Sequence, residues 1–433
     1  MQQCPNPELS EVSSRRNSLP ESARRLELVQ VISLWSPEAG GASVATKRIL
    51  EAVGRTKEVD AIARVGQPSN WARKFGNSLL RTQLTTNPVH RSVNLLPSRA
   101  LLPSRSSFVS LVHFHWIGDQ ALSIRQIGSL SRQVPVVWTL HDTWAFTGAD
   151  HHPKDTTDLR YQVGYTRASR LSGDSRIDID AWIFRRKLRA WKSPMWLVAP
   201  STYVKSMALN SYLARSWPVT VIPNPLDLET FAPLPPDEIR PTRTSFGLTP
   251  DRPLLVFGSG SRSAHTKGID LLVETLRYLR GAYPEASYAT FGPPSTDLPE
   301  WVHQLGYIND EGRLRQLYGA SDVVLVSSRF ETFSQVASES QACGTPVAGF
   351  GTSGLLDVVH HGTTGYLADP FQPKALAEAA IRVLEAGPRM RAAARQRAER
   401  LWSMDTVGRQ YVDWYQRAIA EFHGATRTQR RKC

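Results

Sequence analysis

Residues Ala320 to Val347 read ASDVVLVSSRFETFSQVASESQACGTPV. Asp322 to Ser327 is a short, largely β-branched run, and Gln335 to Cys343 has helical spacing that stops at Gly344, ahead of Thr345 and Pro346. The stretch is therefore a strand, a turn and a helix, with Glu331 on the turn and Glu339 one helical layer inside. The first turn of such a helix carries unpaired amides, and with Thr332, Phe333 and Ser334 beside them they favour an anion in the crevice above the strand. Two carboxylates flank that position. A nucleotide sugar has the matching layout, because its diphosphate suits the helix end while ribose and hexose each offer a hydroxyl pair to a carboxylate. The competing reading is a solvated pair of glutamates on an ordinary α/β unit.

The strand–helix alternation extends in both directions. Toward the N-terminus, strands are expected at Leu28 to Leu34, Phe108 to Phe114, Val134 to Leu140 and Trp196 to Ala199. A helix from Ala42 to Val53 should bury Val44, Ala45, Ile49 and Leu50. After the proline-rich passage Pro223 to Pro253, strands are expected at Leu254 to Gly258, Ser287 to Phe291, Val323 to Ser327 and Pro346 to Phe350. This pattern predicts an α/β chain of two doubly wound parallel sheets, in which ligands bind beyond the strand carboxyl ends, in the cleft between the halves.

Length and composition agree. A chain of 433 residues exceeds one ordinary core, and 41% hydrophobic content can fill two. No apolar run approaches the roughly 18 residues that span a bilayer, and no charged-then-apolar leader opens the sequence. Cys4, Cys343 and Cys433 are scattered and odd in number, which suggests neither a disulfide framework nor a metal cluster and fits a reducing cytoplasm. The net charge of +13 suits an anionic substrate, an anionic membrane or nucleic acid. Basic residues gather in a polar N-terminal arm, in the tail and in Trp182 to Lys192 (WIFRRKLRAWK), where aromatics alternate with base as in interfacial helices on anionic lipid. A core helix with a solvated basic face is the alternative there.

Several residues could do chemistry. Gly40-Gly41, between the first strand and helix, lets backbone approach a ligand closely. The loop SGSRSAHTKGIDLL puts Arg262 and Lys267 ahead of a helix, opposite the two-glutamate turn, where two cations would suit a diphosphate. His141 ends the strand PVVWTLHD and could bond a sugar hydroxyl or move a proton. His113 and His115 bracket Phe114 and are expected on opposite faces. His151, His152 and Asp155, and separately Asp178 and Asp180, do not complete a metal-ligand pattern.

As a set, the segments ISLWSPEAGGAS, VVWTLHDTWAFTGADHH, VAPSTYVK, VIPNPLDLETFAP, GSRSAHTKGIDLL, LGYINDEGRLRQLYGASDVVLVSS, ETFSQVASESQACGTPV and GLLDVVHHGTTGYLADP resemble, in order, family 4 of the retaining glycosyltransferases. HFHWIGD followed by WTLHDTWAFTG is most similar to enzymes of colanic-acid-type exopolysaccharide and lipopolysaccharide assembly. The resemblance implies the GT-B architecture, two Rossmann-like domains facing a central cleft. The expected divisions are a disordered basic arm at 1–26, an acceptor-side domain at 27–222, and a nucleotide-sugar-binding domain at 223–404. A helix at 405–423 crosses back to the first domain, and a disordered basic tail follows at 424–433.

It also implies roles. Glu331 faces the donor sugar and Glu339 the ribose, Arg262 and Lys267 hold the diphosphate, and His141 lies at the reaction centre. Gly41 lies near phosphate and acceptor, and Tyr307 and Ile308 support the base. The expected partners are a nucleotide-sugar donor, a glycan or lipid-linked acceptor and peripheral contact with anionic membrane on its cytoplasmic face, with no cofactor, metal or nucleic acid. Related enzymes carry a cysteine-rich insertion after TWAFTG, whereas Ala149 to Asp180 has no cysteine, which leaves the acceptor open. The turn has Thr332 and Ser334 where relatives have glycine, so reduced backbone freedom is expected. A sugar-nucleotide epimerase on the same scaffold and a basic nucleic-acid binder are the competing classes.

Overall fold

The structure, a computed structural model, describes residues 26–33, 40–66, 69–98, 101–102, 109–155, 157–258 and 264–430. Arg262, most of the N-terminal arm and the last three residues lie outside these.

Strands β1 (Leu26–Ser33), β2 (Val59–Val65), β3 (Gln83–Leu84), β4 (Leu111–Phe114), β5 (Val136–Thr139), β6 (Ser175–Arg176), β7 (Trp196–Ala199) and β8 (Val219–Val221) belong to the first lobe. Strands β9 (Leu254–Gly258), β10 (Ser287–Phe291), β11 (His303–Gln304), β12 (Val323–Val326), β13 (Val347–Phe350) and β14 (Gly365–Ala368) belong to the second. The two large sheets run β2-β1-β4-β5-β7-β8 and β11-β10-β9-β12-β13-β14, parallel throughout, while β3 and β6 pair apart as a short antiparallel ribbon. Helices cover both faces, so β4, β5, β7, β12 and β13 are buried at every position and read as continuous apolar runs. In both sheets the strand order reverses at the first strand of the lobe, β1 and β9. The crevice at such a switch point is where side chains from neighbouring loops converge.

The helix Met404–Arg430 leaves the second lobe and packs on the first. Val407, Tyr411, Val412 and Tyr415 share one apolar core with Val29, Val31, Ile49 and Val53. Gly408 makes the approach: a Cβ there would stand 2.2 Å from the Ala52 carbonyl oxygen of helix Gly41–Arg55. The basic tail is not irregular from 424 onward, because the helix runs on to Arg430.

Two local expectations need correction, and one open choice is decided. Val44 is exposed, and Ala52 and Val53 complete the buried stripe of helix Gly41–Arg55 instead. His113 and His115 share a face with ring centroids 4.1 Å apart, as a strand's period of two requires for residues two positions apart. The segment around Trp182 is a core helix, Ile179–Ala190. Its Ile183 and Phe184 are fully buried, and Lys187 is buried over the Trp144 ring while donating to the carbonyls of Trp144, Thr147 and Gly148.

Candidate active site

The carboxyl ends of β9 and β12 place Lys267 and Glu331 together. Lys267 Nζ lies 2.7 Å from Glu331 Oε1, which also accepts from Ser328 Oγ at 2.7 Å. The turn holding Glu331 is fixed by backbone: Glu331 N–H donates to Ser353 Oγ at 2.9 Å and its carbonyl accepts from Gly354 N–H at 2.8 Å. Gly268 lets the Lys267 loop sit against this turn, with φ 64° and Ser327 O only 2.2 Å from where a Cβ would be. Ser334 adopts φ 83°, a conformation that favours glycine, so serine here follows the turn at a cost in strain and does not stiffen it into another shape. Of the three residues expected to face the crevice, Phe333 turns inward: its ring is 2% exposed and lies edge-on to Trp402 at 5.8 Å.

From the first lobe, β4 and β5 deliver a histidine cluster to the same junction. His115 Nδ1 and His141 Nε2 are 2.9 Å apart, and the Thr332 hydroxyl donates to the His141 carbonyl at 3.4 Å, joining the lobes. Burial lowers the pKa of His141 to about 4, so the ring is neutral at physiological pH and can offer hydrogen bonds, not charge. Sequence reasoning weighed His152 only as a metal ligand and not as part of this site. Its ring centroid lies 4.6 Å from that of Phe330, one residue before Glu331, with the rings tilted by 47°, and its Nδ1 is sealed from solvent without a partner among the described residues. Burial lowers its pKa to about 4, with the charges of Asp142, Glu331 and Lys267 among the smaller influences. The pairing of HH with the ETFS turn depends on lobe packing, which no local pattern reveals. His151 is committed to Asp142 and Ser92, and Asp178 and Asp180 pair with Arg160, so neither group is arranged as metal ligands.

Glu339 is not open to the cleft. It is 5% exposed, with Oε1 held by Arg48 Nη1 at 2.8 Å and Oε2 by the Tyr318 hydroxyl at 3.1 Å. Burial raises its pKa against the opposing pull of Arg48. Gly41 stands at the same seam, its Cβ position 3.6 Å from Gln335. Tyr307 and Ile308 line a cavity of ≈ 430 Å³ with Phe246, Arg313 and Asp310, the last adjacent in sequence to Glu311, another Arg48 partner.

Residues 39–230 match the family model described as "Glycosyltransferase Family 4", and residues 243–401 the one described as "Glycosyl transferases group 1". A D-inositol 3-phosphate glycosyltransferase of Xylanimonas cellulosilytica is 35% identical over 219 residues, covering 46% of this chain and 51% of that protein. One of Salinispora tropica is 33% identical over 340 residues, 72% of this chain and 64% of the relative. The chain thus spans about half the length of the first relative and somewhat under two thirds of the second. Neither carries the name of a colanic-acid-type enzyme, the likeness expected from sequence. Among solved structures, sucrose-phosphate synthase from Thermosynechococcus elongatus superposes with TM-score 0.61 at 20% identity, covering 92% of this chain and 100% of that one. Anabaena HepE in complex with UDP-glucose gives 0.58 at 16% identity, covering 92% and 99%. At such identities the likeness bears on fold alone. The two lobes, each matching a glycosyltransferase domain model, face each other in the GT-B arrangement.

Proposed function

We propose that the protein is a retaining, metal-independent glycosyltransferase that moves a sugar from a nucleotide diphosphate to an acceptor hydroxyl. The observation that carries this reading is the Lys267–Glu331 pair at 2.7 Å, joined through Thr332 to the His141 backbone of the facing lobe. In this reading the base enters the cavity beside Phe246 and Tyr307. The diphosphate meets Lys267, Arg262 and the amides opening helix Gln335–Ala342, and the sugar hydroxyls meet Glu331. Charge grows on the departing diphosphate, where fixed cations and amides act most strongly. The acceptor hydroxyl comes from the first lobe past the neutral His141 and attacks the face that the diphosphate leaves, which retains the configuration.

UDP-sugars are the first donors to test, because HepE is described with UDP-glucose. The relatives' name makes a phosphorylated polyol the first acceptor to set beside glycan and lipid-linked ones. A thermal-shift panel of UDP, GDP, ADP and their sugars should show one base raising the melting temperature. Product NMR should then show the donor's anomeric configuration kept. A panel without any shift, or an inverted product, would overturn the reading.

The anionic-surface component of this reading moves to helix Asn70–Leu80. Trp71 and Phe75 are 66% and 41% exposed, their rings 6.2 Å apart, beside exposed Arg73 and Lys74. No Asp or Glu occurs between Asp60 and Asp119. The opposite face, Ala72 and Gly76, is buried, and Gly76 packs against Gln120, so this helix adjoins the acceptor side.

A further inference from the structure

Arg48 belongs to the first lobe, yet every group its guanidinium meets belongs to the second. Nη1 donates to Glu339 Oε1 at 2.8 Å and to Gln335 Oε1 at 3.2 Å, Nη2 donates to Glu311 Oε1 at 2.9 Å, and the Phe231 ring lies 4.9 Å from the guanidinium carbon. The Arg48 side chain is 4% exposed. Tyr318 occupies the other Glu339 oxygen, and the charge of that carboxylate also interacts with Glu311 and with the Cys343 thiol. Both Glu339 oxygens are therefore engaged in a protein without donor. Arg48 Nε, however, is buried with no partner among the described residues. A guanidinium kept for packing alone would be expected to satisfy all its donors, because an orphaned buried N–H destabilises.

We propose that Arg48 is an internal stand-in for the donor's ribose. Its Nη1 occupies Oε1 of Glu339, where a ribose hydroxyl would donate, and together with the Glu311 contact it latches the two lobes together. The inference rests on the reading of Glu339 as the ribose-facing carboxylate. A nucleotide must displace Arg48 to reach Glu339, so the latch lowers apparent donor affinity and keeps the empty cleft shut. Displacement is feasible because desolvation offsets much of the attraction in a buried ion pair.

The test pairs small-angle scattering of the ligand-free protein with titrations of UDP and of inorganic pyrophosphate. If the latched form holds about 90% of the molecules, removing it tightens apparent UDP affinity roughly tenfold. Arg48→Met should therefore enlarge the ligand-free radius of gyration, tighten UDP binding severalfold and leave pyrophosphate unchanged. Glu311→Gln, which weakens the latch and leaves Glu339 intact, should show the same changes at smaller size. Weaker UDP binding in Arg48→Met would mean that Arg48 supports the donor, and unchanged scattering and affinity would mean a packing role; either overturns the proposal. If UDP binds neither protein, the nucleotide reading fails, and the scattering comparison still decides whether Arg48 holds the lobes together.

Discussion

Lys267 and Glu331 neutralise each other while the site is empty, so Lys267 is held where a diphosphate would need it. Loss of one preorganised donor of this kind costs ~10²–10³ in turnover. Lys267→Ala should fall by that order at saturating donor, and near-normal turnover would place the diphosphate elsewhere. The histidines give a second prediction. Burial lowers the pKa of His113 to about 3 and of His141 and His152 to about 4, against an ordinary value near 6.5. Between those values the unfolded chain binds protons that the folded one refuses, so stability is present above pH ~6.5 and is lost progressively as pH falls toward 4. Melting temperature should drop through that window, less steeply in His152→Gln; parallel curves would show that His152 is not held neutral. Glu331, Lys267 and His141 were legible because each lies in the segment that follows a strand the sequence announces. Arg48 and His152 were not, since their partners lie more than a hundred positions away and come from the other lobe.

Among the elements, two helices that mix aromatic and basic residues differ in what they expose. In Ile179–Ala190 Arg185, Arg186 and Arg189 are solvated, while the aromatics and a lysine whose pKa burial drives well below its ordinary value pack into the core. In Asn70–Leu80 they remain outside. Composition is the same in kind, and only the neighbouring chain decides which face is covered. Paired Trp71→Ala and Phe75→Ala substitutions should cut co-sedimentation with vesicles containing anionic lipid, with a stability change within about 0.5 kcal/mol, as for surface sites. Equal sedimentation of variant and parent would remove the helix from any membrane role. The central strands were legible to within two or three residues at their ends, because doubly buried strands are uninterrupted apolar runs. Strands β2, β8, β11 and β14 escaped notice: they are short or mixed in polarity, and pairing with a neighbour, not pattern, defines them.

At the scale of the whole molecule, the two-lobed plan followed from alternation alone, while the seam between the lobes did not. Its contacts come from single residues: Arg48 with Glu339, Thr332 with His141, Thr202 with Asp357, and Phe330 with His152. The most extensive tie is helix Met404–Arg430, and Gly408 is its closest point. Gly408→Val would force the helix off the Ala52 carbonyl and should destabilise by about 1–3 kcal/mol, as overpacking does, with the first lobe becoming more open to limited proteolysis. An unchanged melting curve and digestion pattern would show that the helix is dispensable there. That docking also fixes an order of events during synthesis. The first lobe's sheet is complete by Val221, yet His113 finds the Tyr415 hydroxyl, and Val29 and Val31 find their cover, only when the last helix has left the ribosome. Until that helix emerges, the nascent amino-terminal half must carry an unsheltered apolar face, and its exposure to chaperones lasts as long as the intervening second lobe takes to be made.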